Sequence, residues 1–64
     1  MKNRLLEIRL SLGYKKQKDF AEYLSMRPKD YNLLENNKKG ISLDNAITIS
    51  KKLNMKIEDI WFED

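Results

Sequence analysis

Residues 27–35 read RPKDYNLLE, and their chemistry sits oddly for a short helix. Arg27 and Lys29 are cations that only donate hydrogen bonds, whereas Asn32 both donates and accepts. Leu33 is apolar yet lies off the stripe made by Tyr31 and Leu34. Fixed cations beside an amide suit a negatively charged, acceptor-rich partner. The sequence offers little for catalysis. It has no His and no Cys, no Gly-rich phosphate loop, and no Ser beside a base. An enzyme is therefore the weakest reading, and neither a metal nor a cofactor is expected.

The distribution of charge strengthens this inference. Residues 1–13 carry Lys2, Arg4 and Arg9 against Glu7. Residues 14–40 carry Lys15, Lys16, Lys18, Arg27, Lys29, Lys38 and Lys39 against Asp19, Glu22, Asp30 and Glu35. Residues 41–64 reverse the sign, with Lys51, Lys52 and Lys56 against Asp44, Glu58, Asp59, Glu63 and Asp64. A basic front and an acidic tail imply an oriented anionic partner, most simply nucleic acid. Charges scattered over a solvated surface are the plainer alternative. No apolar run approaches the ~18 residues of a membrane span, and MKNRLLEIRL lacks the apolar core of a signal peptide. The chain is thus expected to be soluble, without membrane contact.

Sixty-four residues suit one small domain, expected over 1–64. A chain of this size buries only about 60% of its unfolded surface, so it is marginal unless its helices pack tightly. Apolar spacing predicts helices throughout, with no period-2 stretch long enough for a strand. Leu5, Ile8 and Leu12 share a face of a first helix that Gly13 ends. Phe20, Ala21 and Leu24 mark a second helix over about 17–24. Pro28 opens a third, where its missing N–H costs nothing, and Asp30 favours that helix's positive end. Residues 35–40, ENNKKG, read as a loop. Ser42 caps a fourth helix with Leu43, Ala46, Ile47, Ser50 and Leu53 on its inner face. Asn54 closes it. Ile57, Ile60 and Trp61 suggest a short fifth helix, with Trp61 capping the core. The expected fold is all-α, a compact five-helix bundle.

The informative unit is QKDFAEYLSMRPKDYNLLEN, residues 17–36. Two helices joined by the short turn 25–27 must cross steeply and share an apolar junction. Phe20, Ala21, Leu24, Met26, Tyr31 and Leu34 supply it, with Ala21 small for close approach. Together with the tail ISLDNAITISKKLNMKIEDIW, this pattern resembles the Xre/Cro-type helix-turn-helix DNA-binding proteins over roughly residues 3–61. The resemblance implies a five-helix, lambda-repressor-like fold whose third helix reads the DNA major groove. Two departures stand out. Ser25 occupies the turn position where the family usually has glycine, so a left-handed residue is expected there. Lys16, Arg27 and Lys56 replace the Ser or Thr caps common at helices two, three and five.

The resemblance also implies roles. Gln17 would hold a backbone phosphate at the start of helix two, and Lys16, Lys18, Lys38 and Lys39 would add electrostatic grip. Arg27, Pro28, Lys29, Asn32 and Leu33 would face the bases. Lys29 suits guanine O6 or N7, Asn32 suits adenine, and Leu33 or Pro28 suits a thymine methyl. Glu35 matches a position that supports structure. Ile57, Ile60 and Phe62 form a candidate dimerisation patch, and a homodimer would match a palindromic operator. The implied protein is a transcriptional regulator, expected to be a cytoplasmic, bacterial or phage-encoded repressor. The rival reading is a protein-interaction module on the same scaffold, for example an antitoxin or anti-regulator, with Pro28 and Leu33 as its apolar face. A protein-binding face would not need the basic rim.

Overall fold

The computed structural model describes residues 2–63. Its elements run β1 (Lys2–Asn3), α1 (Leu5–Ser11), α2 (Gln17–Tyr23), α3 (Pro28–Glu35), α4 (Leu43–Leu53), α5 (Ile57–Ile60) and β2 (Trp61–Phe62). The five helices fall where apolar spacing and capping residues place them. Their inner faces meet on Leu5, Ile8, Phe20, Ala21, Leu24, Tyr31, Leu34, Ala46, Ile49, Ile60 and Trp61, all buried. Phe20 sits at the centre, edge-on to Tyr31 at 5.5 Å between centroids and tilted against Tyr14 at 5.2 Å. Aromatic pairs in such arrangements add about 0.5–1.5 kcal/mol beyond burial. Among the described residues, no helix is long and apolar enough to cross a membrane.

Four helices stop in the same way. The residues after α1, α2, α3 and α4 that turn left-handed are Gly13, Ser25, Asn37 and Asn54, with φ of 90°, 60°, 61° and 56°. In each case the next amide reaches back to the last turn: Tyr14 N to Arg9 O, Met26 N to Ala21 O, Lys38 N to Leu33 O, and Met55 N to Ser50 O, at 2.8–3.0 Å. This closure satisfies carbonyls that a helix end otherwise leaves bare. Glycine adopts that backbone freely; Ser25 does so at a cost of about 1–2 kcal/mol. At the other ends, Ser42 accepts from Asn45 N, whereas Lys16, Arg27 and Lys56 give no side-chain cap.

Some expectations are corrected. Leu12 is 53% exposed, and Arg9 takes the inward place instead. Leu12 caps α1 with helical backbone, its N–H still donating to Ile8 O at 3.0 Å, but the core does not reach its side chain. On α4 the inner face is Ala46, Ile49 and Ser50. Leu43, at the first helical position, projects past the core and is exposed, and Ile47 flanks the face half-buried. The all-helical expectation also omits a ribbon, in which β1 pairs antiparallel with β2, Lys2 opposite Phe62 and Asn3 opposite Trp61. Two-residue strands are too short to show a period of two.

The expected dimerisation patch does not form one exposed surface. Ile60 is fully buried, because it faces the core from the last turn of a four-residue helix. Ile57 is half-buried and packs against that core. Phe62 is also half-buried, with the Arg4 guanidinium 4.3 Å above its ring.

Candidate nucleic-acid interface

Helices α2 and α3 are set against each other by the buried junction of Phe20, Ala21, Leu24, Tyr31 and Leu34. Ala21 has no exposed surface, and its carbonyl accepts from Met26 N at 2.8 Å. A larger side chain there would force the helices apart. Asn3 fastens the far end of α3, its Nδ2 donating to Leu34 O at 2.9 Å and to Asn37 Oδ1 at 3.0 Å.

The polar surface of this pair rests on a buried ion pair. Arg9 Nε donates to Glu35 Oε1 at 2.8 Å, with the two side chains only 8% and 5% exposed. Arg9 Nη1 also donates to the carbonyls of Tyr14 and Lys15, at 3.0 and 2.8 Å. Tyr31 Oη donates to the same Glu35 oxygen at 2.8 Å. Burial pushes the Glu35 carboxyl up, but hydrogen bonds from Arg9, Tyr31 and Gln17 outweigh it and hold the group below its ordinary value. Burial first, then the hydrogen bond and charge of Glu35, push the Tyr31 hydroxyl up, so it stays a donor. Glu35 takes the structural place that the family resemblance implies, whereas no motif in the sequence points to Arg9. The available signal was a charged residue next to Ile8 on an apolar face.

Gln17 connects this buried base to the surface. Its Nε2 donates to Glu35 Oε2, and its Oε1 accepts from Asn32 Nδ2 at 2.8 Å. One carboxylate thus orients Gln17, and Gln17 in turn orients Asn32. Asn32 is exposed and keeps its second amide hydrogen and its Oδ1, the pair needed against an adenine edge.

Several of the remaining candidates line a succession of adjoining grooves. Lys18, Arg27 and Pro28 line one shallow recess with Ser25 and Met26. Arg27 and Lys39 line the next groove, and Lys38 and Lys39 the one beyond. The basic residues of α2, the turn and the loop after α3 are therefore neighbours. Lys16, Lys18, Lys29 and Lys38 are exposed. Arg27 and Lys39 instead share Asp30: Arg27 Nε donates to Oδ2 at 3.0 Å and Lys39 Nζ to Oδ1 at 3.2 Å. Pro28 is exposed at the first position of α3, whereas Leu33 is half-buried, so the outer face of α3 is less apolar than its sequence suggests.

The family model for the Xre-type helix-turn-helix matches residues 5–60. No curated protein matches the sequence. The matched span runs from the first residue of α1 to the last of α5 and takes in the crossed pair α2 and α3 with the buried polar base beneath them. The chain belongs to the Xre-type helix-turn-helix family of DNA-binding regulators.

Proposed function

We propose that this protein is a sequence-specific regulator of transcription that inserts α3 into the major groove of duplex DNA and represses by occupying its site. The observation that carries this reading is the Gln17–Asn32 hydrogen bond. It joins the start of α2 to the outer face of α3, and the cations Lys18, Arg27, Lys38 and Lys39 line adjoining grooves of the same molecule. In this reading Gln17, Lys16, Lys18, Arg27, Lys38 and Lys39 engage phosphates, which fix position, and Lys29, Asn32, Pro28 and Leu33 meet base edges, which fix sequence. A homodimer on a palindromic operator completes the proposal, with half-sites about one helical turn apart. Light scattering with and without operator tests that part directly.

Binding is expected to weaken steeply with salt. About five phosphate contacts give a log–log slope near −4.5, so affinity falls about 500-fold between 50 and 200 mM salt. Fluorescence anisotropy with mixed genomic fragments measures this. The absence of salt-sensitive binding at low ionic strength would sink the DNA reading and favour a protein partner. Selection of bound duplexes from a random pool would then supply the operator.

A further inference from the structure

We propose that Asp30 acts as a brake on sequence-independent DNA binding, by engaging two of the cations that would otherwise meet phosphates. The inference rests on the DNA-binding reading above and deepens it. Asp30 is the third residue of α3, between the exposed Arg27 that precedes the helix and Lys39 in the loop that follows it. Its two carboxylate oxygens are divided between them, Oδ2 accepting from Arg27 Nε and Oδ1 from Lys39 Nζ. All three residues line one groove of about 440 Å³ whose floor includes Leu24, Met26 and Ile49. Among the described residues, no other carboxylate is ion-paired to two of the candidate DNA-binding cations. Asp19 and Glu22, the acids of α2, are exposed; Glu22 lines the recess of Lys18 and Arg27, but the ion pair of Arg27 is with Asp30.

A surface pair of this kind does little for stability, because water already solvates both charges and salt screens them. Its effect on a polyanion is larger. Asp30 cancels one of two positive charges at the point where α3 and the following loop come together. It also holds Arg27 and Lys39 in a fixed arrangement that a passing phosphate must break. The hydrogen bonds from Lys39 and then Arg27 keep the Asp30 carboxyl below its ordinary range, so the negative charge persists at neutral pH. Direct base contact by Asp30 is not required.

The test uses Asp30→Asn on random-sequence duplex, with Lys39→Ala in both backgrounds. One further unit of effective positive charge steepens the salt slope by about 0.9, which is about an 8-fold gain in affinity at 0.1 M salt. Lys39→Ala is expected to cost more in the Asp30→Asn background, where the lysine is released, than in the wild type. Unchanged or weaker binding by Asp30→Asn, or an equal cost of Lys39→Ala in both backgrounds, overturns the proposal while leaving the DNA reading intact. A wild-type chain that shows no salt-sensitive binding overturns both. Urea midpoints verify folding, and Asp30→Ser carries the same test should the asparagine variant unfold.

Discussion

Arg9→Met is expected to destabilise the fold by about 3–5 kcal/mol. The substitution strands the Glu35 carboxylate at a position where its side chain is 5% exposed. Breaking a buried ion pair from one side costs about 3–5 kcal/mol, because the remaining charge is neither solvated nor matched. The carbonyls of Tyr14 and Lys15 also lose their donor. Proteins of this length hold about 3–10 kcal/mol in total, so the loss removes from about a third to all of it. Urea denaturation followed by circular dichroism measures it, and a loss under about 1 kcal/mol would show that the pair is dispensable. The double variant Arg9→Met with Glu35→Leu should recover much of the stability, since an apolar replacement removes the stranded charge.

The same pair fixes the response to acid. The folded-state value of Glu35 lies below its ordinary 4.5, so its stabilising contribution is present above about pH 4.5 and disappears as pH falls through the lowered value. In Arg9→Met the hydrogen bond and charge that lower the folded value most are gone, so that variant should lose less stability than the wild type as pH falls.

Gln17→Ala and Asn32→Ala are each expected to weaken binding to the selected operator by about 10- to 100-fold, the effect of losing one well-placed base contact. The two losses should not add. Gln17 Oε1 holds Asn32 Nδ2, and Glu35 holds Gln17, so removing either amide disables one arrangement. The double variant is accordingly expected to bind within a few-fold of either single one, a coupling of about 1–3 kcal/mol. Lys18→Ala serves as comparison: it should cost only several-fold and lower the salt slope by about one. Additive losses at Gln17 and Asn32 would mean that the bridge is incidental. Glu35 keeps its bonds from Arg9 and Tyr31 in both variants, which favours survival of the fold.

What the sequence displayed was the part of the fold written in local chemistry. Leu5 with Ile8, and Tyr31 with Leu34, lie at helical spacing on buried faces. Gly13, Pro28 and Ser42 mark a stop, a start and a cap where the helices do stop and start. Ser25 was recognisable as strained because a glycine is usual there, and its φ of 60° agrees. Long-range features were not legible. Arg9 and Glu35 are 26 residues apart, and each by itself resembles an ordinary solvated charge. Asp30 read as a partner for the helix dipole, since nothing local announces that Lys39 folds back onto it. Leu12, Leu43 and Ile60 were misplaced for one reason: periodicity gives the direction of a side chain but not where the core ends.

The ribbon joining Lys2–Asn3 to Trp61–Phe62 also has a kinetic meaning. It closes almost the whole chain into a ring, whereas α2 and α3 find each other within residues 17–35. Closure entropy grows with loop length, and two short strands return little for it. The ends should therefore zip up last and unclasp first, while the crossed pair stays assembled. On the proposed reading, a molecule held to DNA through α2 and α3 can then open its ends without letting go. Amide exchange reports this at Arg4, whose N–H donates to Ile60 O at 2.8 Å, against Leu24, whose N–H donates to Phe20 O at 3.0 Å. Arg4 should exchange well ahead of Leu24, and equal protection at the two would mean the ring opens only when the whole fold does.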